Sequence, residues 1–457
     1  MILDVLIPGI LLLGILVFLH ELGHFLMAKW LRVPVYKFSL GFGPAMFAFD
    51  RGETRYQVSW LPLGGYVSMA EETKDAEGKP DLIDRFSEQP WWKRLVIALA
   101  GPAGNLVTGY LALVVMGVVG VRLPDYDAVL GPIEPGTRAA SYGLVEGVRI
   151  TSLAGATVTS YQDFLRKISE LPKGSGLALA VTAPDGAVRT VDVPAAERDA
   201  VLNDLRPPEA GTEVGSVVIG TPAYLAGLQG GDRIVAIGGK PISRWRELTD
   251  VVSRSAGKPL DFAVDRKGKA FNVTITPQAP PTANAWEGGR IGIEAPRNRT
   301  FLVRSSFPEA VLSAFPLSRV LIAQTFEGIA AVLTRPFQSA GSLGGPQMII
   351  QVAGANAKRG AGDFIYILAV ISFAIMAFNL LPLPVLDGGH IFLALVEAVR
   401  RRPPAAWFTV AYQRVGLVLI GGFIVFVLFN DLSRSLQHRA AVNRNNQASP
   451  GEVEPAR

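Results

Sequence analysis

Four stretches are apolar without a long polar break, at about 5–28, 95–120, 364–386 and 409–430. Each is long enough as a helix to cross a hydrocarbon core of roughly 30 Å. A fifth stretch, about 309–334, carries Arg319, Gln324 and Glu327 with Pro316 inside it, a pattern that predicts an amphipathic helix lying on a membrane surface. Between the first two stretches the pattern changes period. Residues 39–69 are not helical in pattern: Gly41-Phe42-Gly43-Pro44 breaks the chain, and Asp50-Arg51-Gly52 marks a turn between Ala45–Phe49 and Arg55–Trp60, a run rich in strand formers, which predicts a β-hairpin. Residues 71–90 are acidic and polar and read as a surface loop, followed by the interfacial anchor Trp91-Trp92-Lys93-Arg94.

Residues 121–295 are hydrophilic, with short β-type runs separated by Gly, Pro and Asp, and they repeat. Gly143-Leu144 through Arg149-Ile150 aligns with Gly227-Leu228 through Arg233-Ile234, an offset of 84 that also pairs Tyr161–Phe164 with Trp245–Leu248. The pattern therefore predicts a first helix over 1–31, a β region over 32–94, a second helix over 95–120 and two β+α domains, 121–205 and 206–295. Then follow an amphipathic region 300–362, a third apolar segment 363–387, a helix or loop 388–408, a fourth span 409–431 and a disordered tail 432–457. The expected fold class is a multi-pass α-helical membrane protein of four spans, with a membrane-associated β-hairpin or sheet and two β+α domains.

Composition agrees. The 457 residues are 49% hydrophobic and only 18% charged, too apolar for a wholly soluble chain. The net charge of +5 suits contact with anionic lipid, and without a dense basic patch it excludes nucleic acid as the expected partner. With no cysteine, a metal must be held by histidine and carboxylate. Met1-Ile2-Leu3-Asp4 lacks a basic leader, so the first apolar run reads as a retained span. Eight basic residues near span ends (Lys29, Arg32, Lys37, Lys93, Arg94 and Arg400–Arg402) stand against five (Arg122, Lys358, Arg359, Arg434, Arg439). That bias predicts both termini outside and 29–94 and 388–408 in the cytosol.

The candidate chemistry lies in the first span. His20 and His24, four apart on a helix, share one face and can converge on a metal, while Glu21 is placed to take a proton from water beside it: the H-E-x-x-H arrangement of zinc hydrolases. Ionisable groups inside a span cost about 2.5–3.5 kcal/mol each, which marks them as functional. Pro382 and Pro384 must break the third segment, and Asp387 beyond them is the expected third ligand, a role that helix capping could share. Gly101-Pro102-Ala103-Gly104-Asn105 would let the second span approach the first, with Asn105 bonding across helices. A hairpin beside the centre could hold an extended peptide on its edge, with Gly41, Gly43 and Asn105 as candidate substrate-positioning residues; an ordinary cytosolic hairpin remains the alternative. His390 reads as a bystander or an outer group, and His438 as part of the polar tail.

His20-Glu21-Leu22-Gly23-His24, Gly101–Asn105 and Asn379-Leu380-Leu381-Pro382-Leu383-Pro384-Val385-Leu386-Asp387-Gly388 together resemble the site-2 protease family of intramembrane zinc metalloproteases. The second repeat, Thr221–Leu228 leading into Gly231–Ile237, resembles a bacterial PDZ domain; the first departs from it, with Glu146 and Val148 where the second has Gly230 and Asp232. Two such domains point to the RseP-type branch. The resemblance implies one Zn2+ per chain on His20, His24 and Asp387, Glu21 as general base, and Asn379 as the residue that positions the substrate backbone or stabilises the oxyanion. It further implies a bacterial inner membrane location with periplasmic PDZ domains. The implied partners are membrane lipid, single-pass membrane protein substrates such as an anti-sigma factor or signal-peptide remnants, and peptides or chain termini at the PDZ domains. Two other readings compete: a membrane-anchored PDZ receptor or scaffold with an inactive zinc site, and a metal transporter, which would be expected to show inverted repeats of spans.

Overall fold

The computed structural model describes residues 3–74, 80–279, 288–296, 299–334 and 344–447. It divides into two units, 1–121 with 304–435, and 122–303 with 436–457.

The first unit is a helix bundle with a sheet. Helix α1 (Leu3–Trp30) is followed by strands β1 (Lys37–Arg51) and β2 (Thr54–Ser68), and then by α2 (Trp91–Val119). After the second unit come α3 (Phe307–Thr334), α4 (Pro346–Arg359), α5 (Ala361–Asn379), α6 (Asp387–Arg400) and α7 (Ala406–Gln447). Five of these helices, α1, α2, α3, α5 and α7, are long and apolar enough to cross a membrane, one more than the four expected. The additional one is α3. Its Ala310, Ala314 and Leu321 pack with Ala112 and Leu113 of α2 and Ala369 and Phe373 of α5, so its small residues bury a bundle-facing stripe that a surface-helix reading of Arg319, Gln324 and Glu327 did not anticipate. Leu12 and Leu16 of α1 pack in turn against Ala353 of α4 and Phe364 of α5.

The expected hairpin is present and folds back on itself. Residues 47–51 pair with 54–58, while 37–40 lie between two partners: Leu40 opposes Val58 on one side and Gly65 on the other. Segment 65–68 thereby becomes an outer strand of the sheet. Ala70–Lys74 and Pro80–Asp84 form a second short antiparallel ladder inside the stretch expected to be a loop; residues 75–79 lie outside the described residues. Between α5 and α6 the chain is non-helical, as two prolines two apart require, and the Tyr412 hydroxyl donates to the Pro382 carbonyl at 2.9 Å, satisfying one acceptor the break releases.

The second unit contains the repeat as two sheets of identical strand order. Strands 149–153 and 233–237 are each central neighbours of a short strand (156–157, 240–241) and of a hairpin (177–182 with 188–193, 260–266 with 269–275). The offset of 84 holds through the helices Tyr161–Glu170 and Trp245–Arg254, after which the second hairpin is shortened at its turn. Each sheet has its own core, around Ile150, Phe164 and Leu179 in the first and Ile234, Leu248 and Phe262 in the second. Where the repeats differ, the physics differs: Asp232 is buried and held bidentately by Arg266 at 2.6 and 2.8 Å, whereas its counterpart Val148 is a fully buried apolar residue. The expected disordered tail is corrected over most of its length. Residues 432–447 continue α7, because Ala441 is buried, Asn445 donates to the Ala226 carbonyl at 3.0 Å and the His438 ring stacks on Tyr224 at 3.8 Å. Residues 448–457 lie outside the described residues, as does 341–343 of the Gly-rich stretch before α4.

Candidate metal centre

α1 presents His20 and His24 on its buried face, four residues apart as the helical period requires. Asp387 reaches them from a different part of the chain. The proline break ends α5 at Asn379, and α6 restarts at Asp387 with Leu386 as its N-cap, so the aspartate is the first helical residue and not the cap. Two local devices set its angle. Val385, a β-branched residue, is held at φ 79°, a conformation that costs such a side chain energy and is retained where the surroundings over-determine it. Gly388 and Gly389 have no room for a Cβ, because the carbonyls of Leu381 and Leu383 lie against them.

The result is a tight cluster. His20 Nε2 stands 3.1 Å from Asp387 Oδ2, His24 Nε2 3.2 Å from Asp387 Oδ1, and the two Nε2 atoms 3.3 Å apart. Asp387 Oδ2 is buried and has no hydrogen-bond partner among the described residues. A tetrahedral zinc with bonds of about 2.0–2.1 Å has ligand-to-ligand edges of about 3.3–3.4 Å, so the donor set and its spacing fit that ion. Three protein donors would leave one position of a tetrahedral ion for water or substrate, the pattern of catalytic rather than structural zinc.

Both imidazoles are held from behind by α2. His24 Nδ1 bonds the Ile97 carbonyl at 2.8 Å, and His20 Nδ1 lies 3.0 Å from the Asn105 amide. Gly101 lies between them in sequence, and a Cβ there would fall on the His24 ring and within 2.8 Å of His20 Cε1. The Asn105 backbone carbonyl accepts from Ser372 Oγ of α5 at 2.8 Å.

The cluster opens into a cleft of 630 Å³ lined by Glu21, Tyr66, Val67, Asn379, Val385 and His390 among others. A Cβ on Gly65 would lie 3.6 Å from Glu21 Cγ, and Val67 lines the same cleft, so the outer strand 65–68 of the sheet runs past the carboxylate. Asn379 Nδ2 lies 3.5 Å from His20 Nε2. The structure thus brings together His20, Glu21, His24, Asn379 and Asp387. It leaves Gly41 and Gly43 out of the cleft: at φ 91° and 88° they bend β1, a conformation that favours glycine. Asn105 bonds across helices to His20, as its place early in the second span predicts, and it does not line the open cleft. The Ile97 carbonyl and the positive φ of Val385 have no signal in the sequence, whereas Gly101–Asn105 and a hairpin edge are expected near the centre and are found there, Gly101 against the rings and 65–68 as the edge.

The family model for peptidase family M50 matches residues 8–423. A Neisseria meningitidis protein that bears a zinc metalloprotease name is 32% identical over 92% of this chain and 97% of its own. The regulator of sigma-E protease RseP of Salmonella typhimurium is 30% identical over 93% of this chain and 97% of its own, and that of Escherichia coli 29% over 92% and 97%.

Proposed function

Given that this chain belongs to peptidase family M50 and is a zinc metalloprotease, we propose that it hydrolyses single-span membrane proteins inside the bilayer, at a site where His20, His24 and Asp387 hold one zinc ion. The observation that carries this reading is the convergence of those three side chains, Glu21 and a sheet edge on one cleft among long apolar helices. Zinc in that position supplies Lewis acidity, activating water and polarising a carbonyl.

The protein's own groups do the rest. Glu21 accepts the proton of the attacking water and returns it to the departing amide nitrogen. The Asn379 amide N–H, close to the cluster, donates to the carbonyl oxygen as negative charge develops there. The edge of 65–68 holds the substrate as an added strand, which a membrane helix must become before its backbone is accessible. The two repeats are PDZ-like and on the periplasmic side, where they filter substrates by recognising extended peptides or chain ends, and the chain resides in the bacterial inner membrane. The names of the relatives support a membrane-bound anti-sigma factor as one substrate.

The test is cleavage of a one-span reporter by the purified full chain in lipid. Glu21→Gln is expected to abolish cleavage while the protein stays folded and keeps its zinc, and a chelator is expected to stop the wild type. Cleavage that persists under both treatments refutes the mechanism, and a biological role that survives Glu21→Gln favours a scaffold.

A further inference from the structure

We propose that Asn105 is a positioning residue whose side-chain oxygen accepts a hydrogen bond from His20 Nδ1–H, locking that ring in the tautomer that turns the Nε2 lone pair toward Asp387 and the metal. The inference rests on the metal reading above and adds a role no motif assigns to this asparagine.

A backbone carbonyl can only accept, so the 2.8 Å contact between His24 Nδ1 and the Ile97 oxygen places the His24 proton on Nδ1 and leaves Nε2 free to bind. His20 needs the same tautomer, because its Nε2 is the atom that faces Asp387 at 3.1 Å. Among the described residues its Nδ1 meets no backbone carbonyl, and the side chain bonded to it is Asn105, which is fully buried and lies eight residues beyond Ile97 on α2.

At 3.0 Å two pairings are open: an amide N–H onto a bare Nδ1, or Nδ1–H onto the amide oxygen. Asn105 Nδ2 is the atom turned to the ring, and Oδ1 is buried with no partner among the described residues. An unsatisfied buried oxygen costs about 1–3 kcal/mol. A half-turn of the amide, which exchanges atoms of nearly equal size, gives that oxygen a donor and gives the ring the proton position that metal binding requires. The His20 tautomer that presents a bare Nε2 to the metal therefore selects the second pairing. Groups that fix a ligand histidine in this way are typically worth 10–100-fold in metal affinity.

The experiment uses the full chain in detergent, equilibrated with graded zinc buffers and assayed for bound zinc. Asn105→Ala is expected to weaken zinc binding 10–100-fold, and Asn105→Asp, which keeps an acceptor and has no donor, to hold zinc close to the wild type. Asp failing as Ala fails, or Ala matching the wild type, overturns the inference alone. A wild-type chain that binds no zinc overturns the metal reading and the inference with it. As a measurement on unmutated protein, the 15N shifts of the His20 ring in the zinc-loaded chain are expected to report a protonated Nδ1; an unprotonated Nδ1 overturns the inference whatever the variants do.

Discussion

Gly101→Ala adds one methyl group at the point where α2 crosses the two imidazoles. Its Cβ would lie 2.5 Å from His24 Cε1, closer still to Nε2, and 2.8 Å from His20 Cε1, against an ordinary contact of 3.4 Å or more. One side must yield by about an ångström, whereas metal sites tolerate ligand displacements of only about 0.2 Å. If His24 turns away, its bond to the Ile97 carbonyl goes with it, a loss of about 1 kcal/mol on top of about 1–3 kcal/mol for overpacking. Zinc affinity should fall by at least the 10–100-fold typical of losing a supporting group, and cleavage should fall with it. The assay is bound zinc and reporter cleavage on the purified chain beside a thermal melt, with Gly421→Ala as control, since nothing lies within 4 Å of a Cβ there. Normal zinc content and turnover in Gly101→Ala would refute the view that this helix face shapes the centre.

Three further outcomes are expected. Val385→Gly relieves a positive φ that costs a residue about 1–2 kcal/mol, so its melting temperature should hold or rise while cleavage slows because Asp387 is less firmly aimed; a lower melting temperature with unchanged turnover contradicts this. Glu397→Gln leaves Arg94 of α2 half-buried without its carboxylate on α6 and should cost up to about 3–5 kcal/mol, whereas the double change of both residues to methionine should recover most of the loss; equal effects in thermal melts would argue against the pair. Asp163, in the first repeat, is buried, which alone would raise its pKa, but bonds from Lys167, the Thr159 backbone and Arg166 hold it well below the usual carboxylate range. A depressed folded pKa stabilises above the unfolded value of about 3.9 and the benefit is lost as pH falls below it. Hydrogen exchange over 149–193 in the full chain should therefore stay slow down to about pH 4, and Asp163→Asn should remove the acid dependence below it; loss of protection already at about pH 5 would refute the assignment.

The centre was legible wherever chemistry is encoded by local spacing. His20 and His24 announce themselves by the helical period, and Pro382 and Pro384 oblige the chain to break just where Asp387 must project. The repeat offset, visible in a few Gly and Asp positions, was carried by whole strands. What escaped depends on partners distant in sequence. Gly101 looks like a packing glycine until the ring of His24 is found against it. Strand 65–68 becomes an edge only because 37–40 inserts between it and 55–58, a pairing no alternation pattern specifies. The polar residues of 432–447 suggest disorder when read alone and are ordered by contact with Tyr224 and Ala226. Arg319, Gln324 and Glu327 similarly drew attention away from the small residues by which α3 packs.

Asp387 enters the cluster 367 positions after His20. During synthesis the two imidazoles and Glu21 are therefore made first and must wait, with both repeats and three further long helices emerging before the carboxylate that completes the set. With the roles proposed above, a nascent or truncated chain lacking α6 would have Glu21 but an incomplete donor set, so hydrolysis would begin only when most of the polypeptide is already in place. Construction order would thus keep a half-built chain from acting as a peptidase.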